Sequence, residues 1–182
     1  MTKLKNWVVA NPDLAFAILL SVCVYGYFAM STEFFATHRT GFAIMERFAV
    51  LGLVGLALTL CIIAGEIDLS IGSNAALAAV ITVRFTDSLG APTALLIALV
   101  VSTTIGMIQG YFIAYLRVRA IVLTVGTLML LRGVALFAAE EKTVMLTDFR
   151  VPDFISTKML GYFSPASLLV ILMFILVALF IN

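Results

Sequence analysis

Gly65-Glu66-Ile67-Asp68-Leu69-Ser70-Ile71-Gly72-Ser73 sets two carboxylates and two hydroxyls between strongly apolar runs. Even on lenient scales, a charge near the centre of a bilayer costs about 2.5–3.5 kcal/mol. Such residues therefore line a pathway or pair with something. The run before them, Phe48 to Ala64, is rich in Leu, Gly and Val. The run after them, Asn74 to Val83, is too short to cross lipid alone, but reaches an adequate length over 67–83 when joined to the residues just ahead of it. This pattern predicts a membrane helix interrupted near residues 65–73.

The whole chain agrees with a membrane setting. Of its 182 residues, 63% are apolar and 12% charged, and its mean hydropathy is +1.19. Soluble domains carry roughly 25% charged and 45–50% apolar residues. A net charge of +1, with no basic patch, argues against nucleic acid as a partner. Cys23 and Cys61 both fall in apolar runs and read as small packing residues. With His38 as the single histidine and no CxxC pair, no metal site is indicated. The lysines are Lys3, Lys5, Lys142 and Lys158, and none stands in a GxxxxGK[ST] frame. If the process consumes ATP, then ATP and its Mg ion belong to another polypeptide.

A helix needs about 20 apolar residues to cross a hydrocarbon core of roughly 30 Å. Candidate spans are 14–30, 48–64, 67–83, 93–116, 120–138 and 167–182, giving an all-α, polytopic transmembrane helix bundle. Asn11-Pro12-Asp13 suits the start of the first helix, with Lys3 and Lys5 ahead of it. A cleaved signal peptide is the rival reading of that end. Glu33, His38, Arg39, Glu46 and Arg47 read as a polar connection, and Arg84, Asp87 and Gly90-Ala91-Pro92 as a turn. The last run stops at Asn182 after about 22 Å of helix, which reads as the front part of a longer protein. Counting basic residues near span ends puts the amino terminus, Arg117 and Arg119 in the cytoplasm and the 140–165 connection outside. In that connection, Val151-Pro152-Asp153-Phe154 and Met159-Leu160-Gly161-Tyr162-Phe163 fit a membrane-surface helix or a docking surface.

Several polar residues are candidates for function. Asp68 or Ser70 can cap the helix that runs on through Asn74, where a carboxylate suits the positive end of the helix dipole. Ser102, Gly106, Gly110 and Ala114 repeat every four residues, a stripe of small side chains suited to close helix packing. Gln109 lies beside that stripe and needs a partner within the bundle. Thr124, Thr127 and Arg132 share the fifth span. Arg132 lies deep enough for an ion pair with Glu66 or Asp68, or for a snorkelled side chain. Asp68, Ser70, Asn74, Gln109 and Thr127 are the candidate solute path, since hydroxyl and amide groups can replace the water around a polar solute.

The stretch 65–73 resembles the GGIDLSVGS signature of the permease subunits of ribose/xylose-type bacterial ABC importers. Gly106-Met107-Ile108-Gln109-Gly110-Tyr111-Phe112-Ile113-Ala114-Tyr115-Leu116-Arg117-Val118 is similar to that family's GxxNGxLIxxLRV. Ile121 to Leu128, followed by Arg132-Gly133, is similar to its FIVTLGTL…RG. The departures are Glu66 in place of a Gly, Gln109 in place of an Asn, and Arg119-Ala120 in place of a Pro-containing pair. The resemblance implies a dimerising permease subunit, homomeric or heteromeric, in the bacterial inner membrane, with roughly ten spans of about 20 residues each. It also implies a periplasmic sugar-binding protein, a cytoplasmic ABC ATPase and a monosaccharide or similar polyol as cargo. Two rivals remain. One is an ion-coupled secondary transporter with Asp68 or Glu66 carrying the ion. The other is a membrane scaffold with no solute path. No nucleophile–base pair or metal-ligand set supports an enzyme.

Overall fold

A computed structural model describes residues 9–140, 153, 156–159 and 163–181. Six helices are found there: α1 (Pro12–Ser31), α2 (His38–Ile63), α3 (Ile71–Leu89), α4 (Ala91–Ala114), α5 (Ala120–Ala138) and α6 (Pro165–Ile181). Among the described residues there is no strand, only an isolated backbone bridge between Met159 and Phe163. The fold is all-α and polytopic. By length and composition α1, α2, α4 and α5 can cross a membrane. The helix α3 carries Ser73, Asn74, Arg84 and Asp87 and is less apolar, while α6 has 17 residues. Most of the surface connection expected between 151 and 163 lies outside the described residues.

Two compact units divide the chain, Met1–Ile44 and Met45–Asn182. The first holds α1 and the opening turns of α2. Pro12 sits in the first turn of α1, where its missing N–H costs nothing. No residue of α1 is buried, and 20 residues reach about 30 Å, enough for the hydrocarbon core. The next helix starts at Thr37, whose hydroxyl accepts from the Thr40 amide at 3.4 Å. Its first turns therefore contain His38, Arg39, Glu46 and Arg47, which the hydropathy pattern assigns to a connection. Those residues are polar, but apart from Gly41 none breaks a helix, and Arg, Glu and Met favour one. At 26 residues, or about 39 Å, α2 outruns the hydrocarbon and leaves its charged amino end in the headgroup zone.

In the second unit α3 packs against both α4 and α5, which barely touch each other. The least apolar helix of the three is thus shielded by its two greasier neighbours. Leu77, Leu131 and Ala135 form the buried centre, with Val80, Ile81 and Ile105 packed on them. Only Gly90 separates α3 from α4; its φ of +81° turns the chain, and Pro92 then starts α4. Arg84 and Asp87 fall inside α3 because nothing ahead of Gly90 stops it. Gly52 of α2 faces α6 so closely that a Cβ there would stand 3.1 Å from Val170 Cγ1. The ring of Phe48 stacks on Phe174 beside that contact. Ser164 and Ser167 cap α6 reciprocally: the Ser164 amide donates to Ser167 Oγ at 2.9 Å, and the Ser167 amide to Ser164 Oγ at 3.2 Å.

Candidate functional site

The break between α2 and α3 is built from backbone geometry. The Gly65 amide donates to Ile62 O at 3.0 Å and the Glu66 amide to Cys61 O at 3.0 Å. With Gly65 at φ +82°, this is a Schellman ending, and it satisfies carbonyls that would otherwise lack partners. Helix resumes at Ile71, so residues 64–70 form an unwound linker. Inside a membrane protein, such backbone is tolerated only where protein or a water-filled cavity surrounds it.

Three side chains hold the linker. Asp68 Oδ1 accepts from both the Ser70 amide and the Ser70 hydroxyl, each at 2.7 Å. The amide bond closes a local turn two residues on. Asp68 thus fastens the residue that starts α3, and neither Asp68 nor Ser70 caps the first-turn amides as the sequence suggests. Gln109 of α4 then donates from Nε2 to Ser70 Oγ at 2.8 Å. Ser70 is 1% exposed and Gln109 6%, so their contact is buried between the helices, and Asp68 continues it at a half-buried position. From the other side, Thr124 Oγ1 of α5 donates to Ile67 O at 3.4 Å.

Asp68, Ser70 and Gln109 therefore come together, and Asn74 lies one turn further into α3. Asn74 Nδ2 donates to Ser102 O of α4 at 3.4 Å, while its Oδ1 is buried with no hydrogen-bond partner among the described residues. Thr127 is not in the cluster: its hydroxyl returns to Leu123 O of its own helix at 2.9 Å. Thr124, one turn earlier, takes the role of binding the linker. Both threonines are visible in the sequence, but only the position of the linker says which of them reaches it.

Glu66 is exposed and lines a cleft of about 590 Å³ with Gly65, Ile113, Arg117 and Arg119 among others. The two arginines and the linker therefore share one end of this unit. Arg132 lies about 12 Å further along α5 than Thr124, exposed on its side. Among the described residues it forms no ion pair with Glu66 or Asp68, because linker and arginine stand at different levels of α5. An ion pair elsewhere joins Arg84 Nη2 to Glu140 Oε1 at 2.9 Å. In the small-residue stripe, Ser102 receives Asn74, whereas a Cβ at Gly106 or Gly110 would meet nothing within 4 Å. Ala114 is exposed, and the packed side of α4 runs instead through Ala94, Ala98 and Gln109. No three His, Cys, Asp or Glu side chains among the described residues are grouped to hold a metal ion.

Chemically, the cluster offers hydrogen-bond donors and acceptors in an apolar surrounding, with the Ser70 hydroxyl committed to both Asp68 and Gln109. That suits holding and passing a polar solute, or fixing a helix break. The comparisons with known proteins point the same way. The chain is 34% identical over 125 residues to the "Autoinducer 2 import system permease protein LsrD" of Escherichia coli O9:H4 (strain HS), covering 68% of this chain and 38% of that protein. The protein of the same name from Shigella flexneri matches with the same identity and coverage. The match thus spans about two-fifths of the length of these curated relatives. No solved structure matches the chain. Residues 41–182 match the family described as "Branched-chain amino acid transport system / permease component", a stretch that takes in the linker, all of its partners and every helix from α3 to α6. This multi-pass membrane chain belongs to that permease family.

Proposed function

We propose that the chain is part of the transmembrane subunit of an ATP-binding-cassette importer that carries a monosaccharide or similar polyol across the bacterial inner membrane. A separate cytoplasmic ATPase supplies the energy, with ATP and Mg bound there, and a periplasmic binding protein delivers the cargo. A second permease subunit, of the same or another chain, completes the path.

The observation that carries this reading is the polar linker 64–70, held between α4 and α5 within a permease of this family. An interrupted helix is a common means of presenting polar backbone to a solute inside a membrane. The ribose/xylose-type cargo rests on the resemblance of residues 65–73. The family description names branched-chain amino acid transport, and the relatives are named for autoinducer 2 import. Asp68, Ser70, Asn74 and Gln109 sit at or next to the path in this reading, and Thr127, bonded within its own helix, stands outside the cluster.

The amino terminus is cytoplasmic. The linker shares its end of the second unit with Arg117 and Arg119, the basic residues that mark an inner face. The ion pair Arg84–Glu140 then marks the outer end.

Purifying the full-length permease from its native membrane tests the reading. Co-purification of a cassette ATPase, with sugar uptake that stops when ATP is withdrawn, is expected. Uptake that survives loss of the ATPase but collapses with an uncoupler would instead show an ion-coupled carrier using Asp68 or Glu66.

A further inference from the structure

At the end of the second unit away from the linker there is a cleft of about 740 Å³, lined by Arg84, Gly133, Leu136, Phe137, Ala138 and Glu140. Arg84 Nη2 donates to Glu140 Oε1 at its rim, joining α3 to the end of α5. Two features of Glu140 are unfavourable. Its φ is +54°, a left-handed conformation common at helix ends but taken more readily by glycine than by a residue with a Cβ. Its carboxylate also lies at the negative end of the α5 dipole, where a cation is favoured. The ion pair does not offset this by much. Its side chains are 49% and 58% exposed, and ion pairs so open to solvent add little to stability.

The remaining lining indicates the ligand. Phe137 is 84% exposed and lines the cleft with an apolar side chain. Gly133 contributes no side chain to the lining. A guanidinium fork donates to adjacent hydroxyl oxygens, a carboxylate accepts from hydroxyls, and an aromatic face receives an apolar C–H surface. Those three groups together match a ring that is polar at its edge and apolar on its face. The volume lies within the roughly 300–1,000 Å³ of small-molecule sites. Because both charges are half exposed, a solute can share their hydrogen bonds without stripping a buried ion pair.

We propose that this cleft is an outer binding site for a polyhydroxylated ring, a monosaccharide or cyclic polyol, gripped by Arg84 and Glu140 with Phe137 as its apolar platform. It rests on the sugar-importer reading above. It gives the solute a first stop at the outer end, about 24 Å along α5 from Thr124.

Saturation-transfer NMR on the full-length permease in lipid nanodiscs tests it, with D-ribose, D-xylose and myo-inositol as probes. At least one probe is expected to bind, with Glu140→Gln and Phe137→Leu each weakening it about tenfold. Phe137→Leu leaves the ion pair intact, so a purely structural Arg84–Glu140 contact would not respond to it. Absence of binding by every probe, or wild-type binding by either variant, overturns the site. Uptake assays separate this from the larger reading. ATP-driven uptake with KM unchanged in both variants overturns the outer site alone, whereas cleft binding with ATP-independent uptake overturns the importer reading alone.

Discussion

Gln109 Nε2 donates to Ser70 Oγ at 2.8 Å across 39 positions of sequence, with both residues buried. The same Ser70 hydroxyl donates to Asp68 Oδ1 at 2.7 Å, so each group has one orientation available to it. A helix break inside a membrane protein exposes backbone that lipid cannot hydrogen-bond. Here a side chain from the neighbouring helix fixes the break in place.

Replacing Gln109 by Leu removes the donor and leaves the Ser70 oxygen facing an apolar group. Measured side-chain hydrogen bonds between membrane helices average about 0.6 kcal/mol and reach about 1.7. A loss in that range is expected in denaturant unfolding of the protein in mixed micelles. Unchanged stability would mean that the contact does not form.

Asp68→Asn and Asp68→Ala separate charge from acceptor. Asn keeps an oxygen where Oδ1 accepts the Ser70 amide, so the turn at 68–70 should survive. Ala removes it and is expected to cost about 1–3 kcal/mol by leaving the Ser70 amide and hydroxyl hydrogens without their acceptor. Limited proteolysis of the linker reads the difference: faster cutting in Asp68→Ala than in Asp68→Asn. If the two variants are cut alike, charge rather than hydrogen bonding is what matters.

Gly65 is the residue on which the Schellman ending turns. At φ +82° an Ala side chain costs about 1–2 kcal/mol, while Asn tolerates the conformation better. Thermal unfolding should rank Gly above Asn and Asn above Ala at this position. Ala matching Gly would place the end of α2 elsewhere.

Much of this fold was legible before any coordinates, and the exceptions have physical causes. Glycine marked the ends correctly: Gly65 ends α2 and Gly90 divides α3 from α4, because only glycine takes those φ values without strain. The start of α2 at His38 was hidden, since hydropathy reports burial in lipid and says nothing of whether Arg39, Glu46 and Arg47 are helical. Asp68, Ser70 and Gln109 stood out singly as polar residues in apolar runs. Their direct contact was not readable, because it depends on how α4 rotates against α3. The same rotation decides that Gln109 faces inward while Gly106 and Gly110 do not. Arg132 and Glu66 looked like partners by charge alone, and the length of α5 keeps them apart.

Gly52 tests the packing of α2 on α6. A Cβ at 3.1 Å from Val170 Cγ1 already forces a neighbour to give way, and a Leu side chain cannot fit. Gly52→Leu should destabilise by about 1–3 kcal/mol, the usual cost of overpacking. A companion Val170→Ala should recover part of the loss in the same unfolding assay, whereas full additivity would place the two residues apart.

Thiol cross-linking in native membranes addresses the held linker most directly. With Cys23 and Cys61 replaced by Ala, the pair Ser70→Cys and Gln109→Cys should be bridged by a short bifunctional thiol reagent that spans the room left by the glutamine side chain. The control pair Ser70→Cys and Arg132→Cys should not. Cross-linking of the control, or none between positions 70 and 109, would contradict a linker fastened to α4.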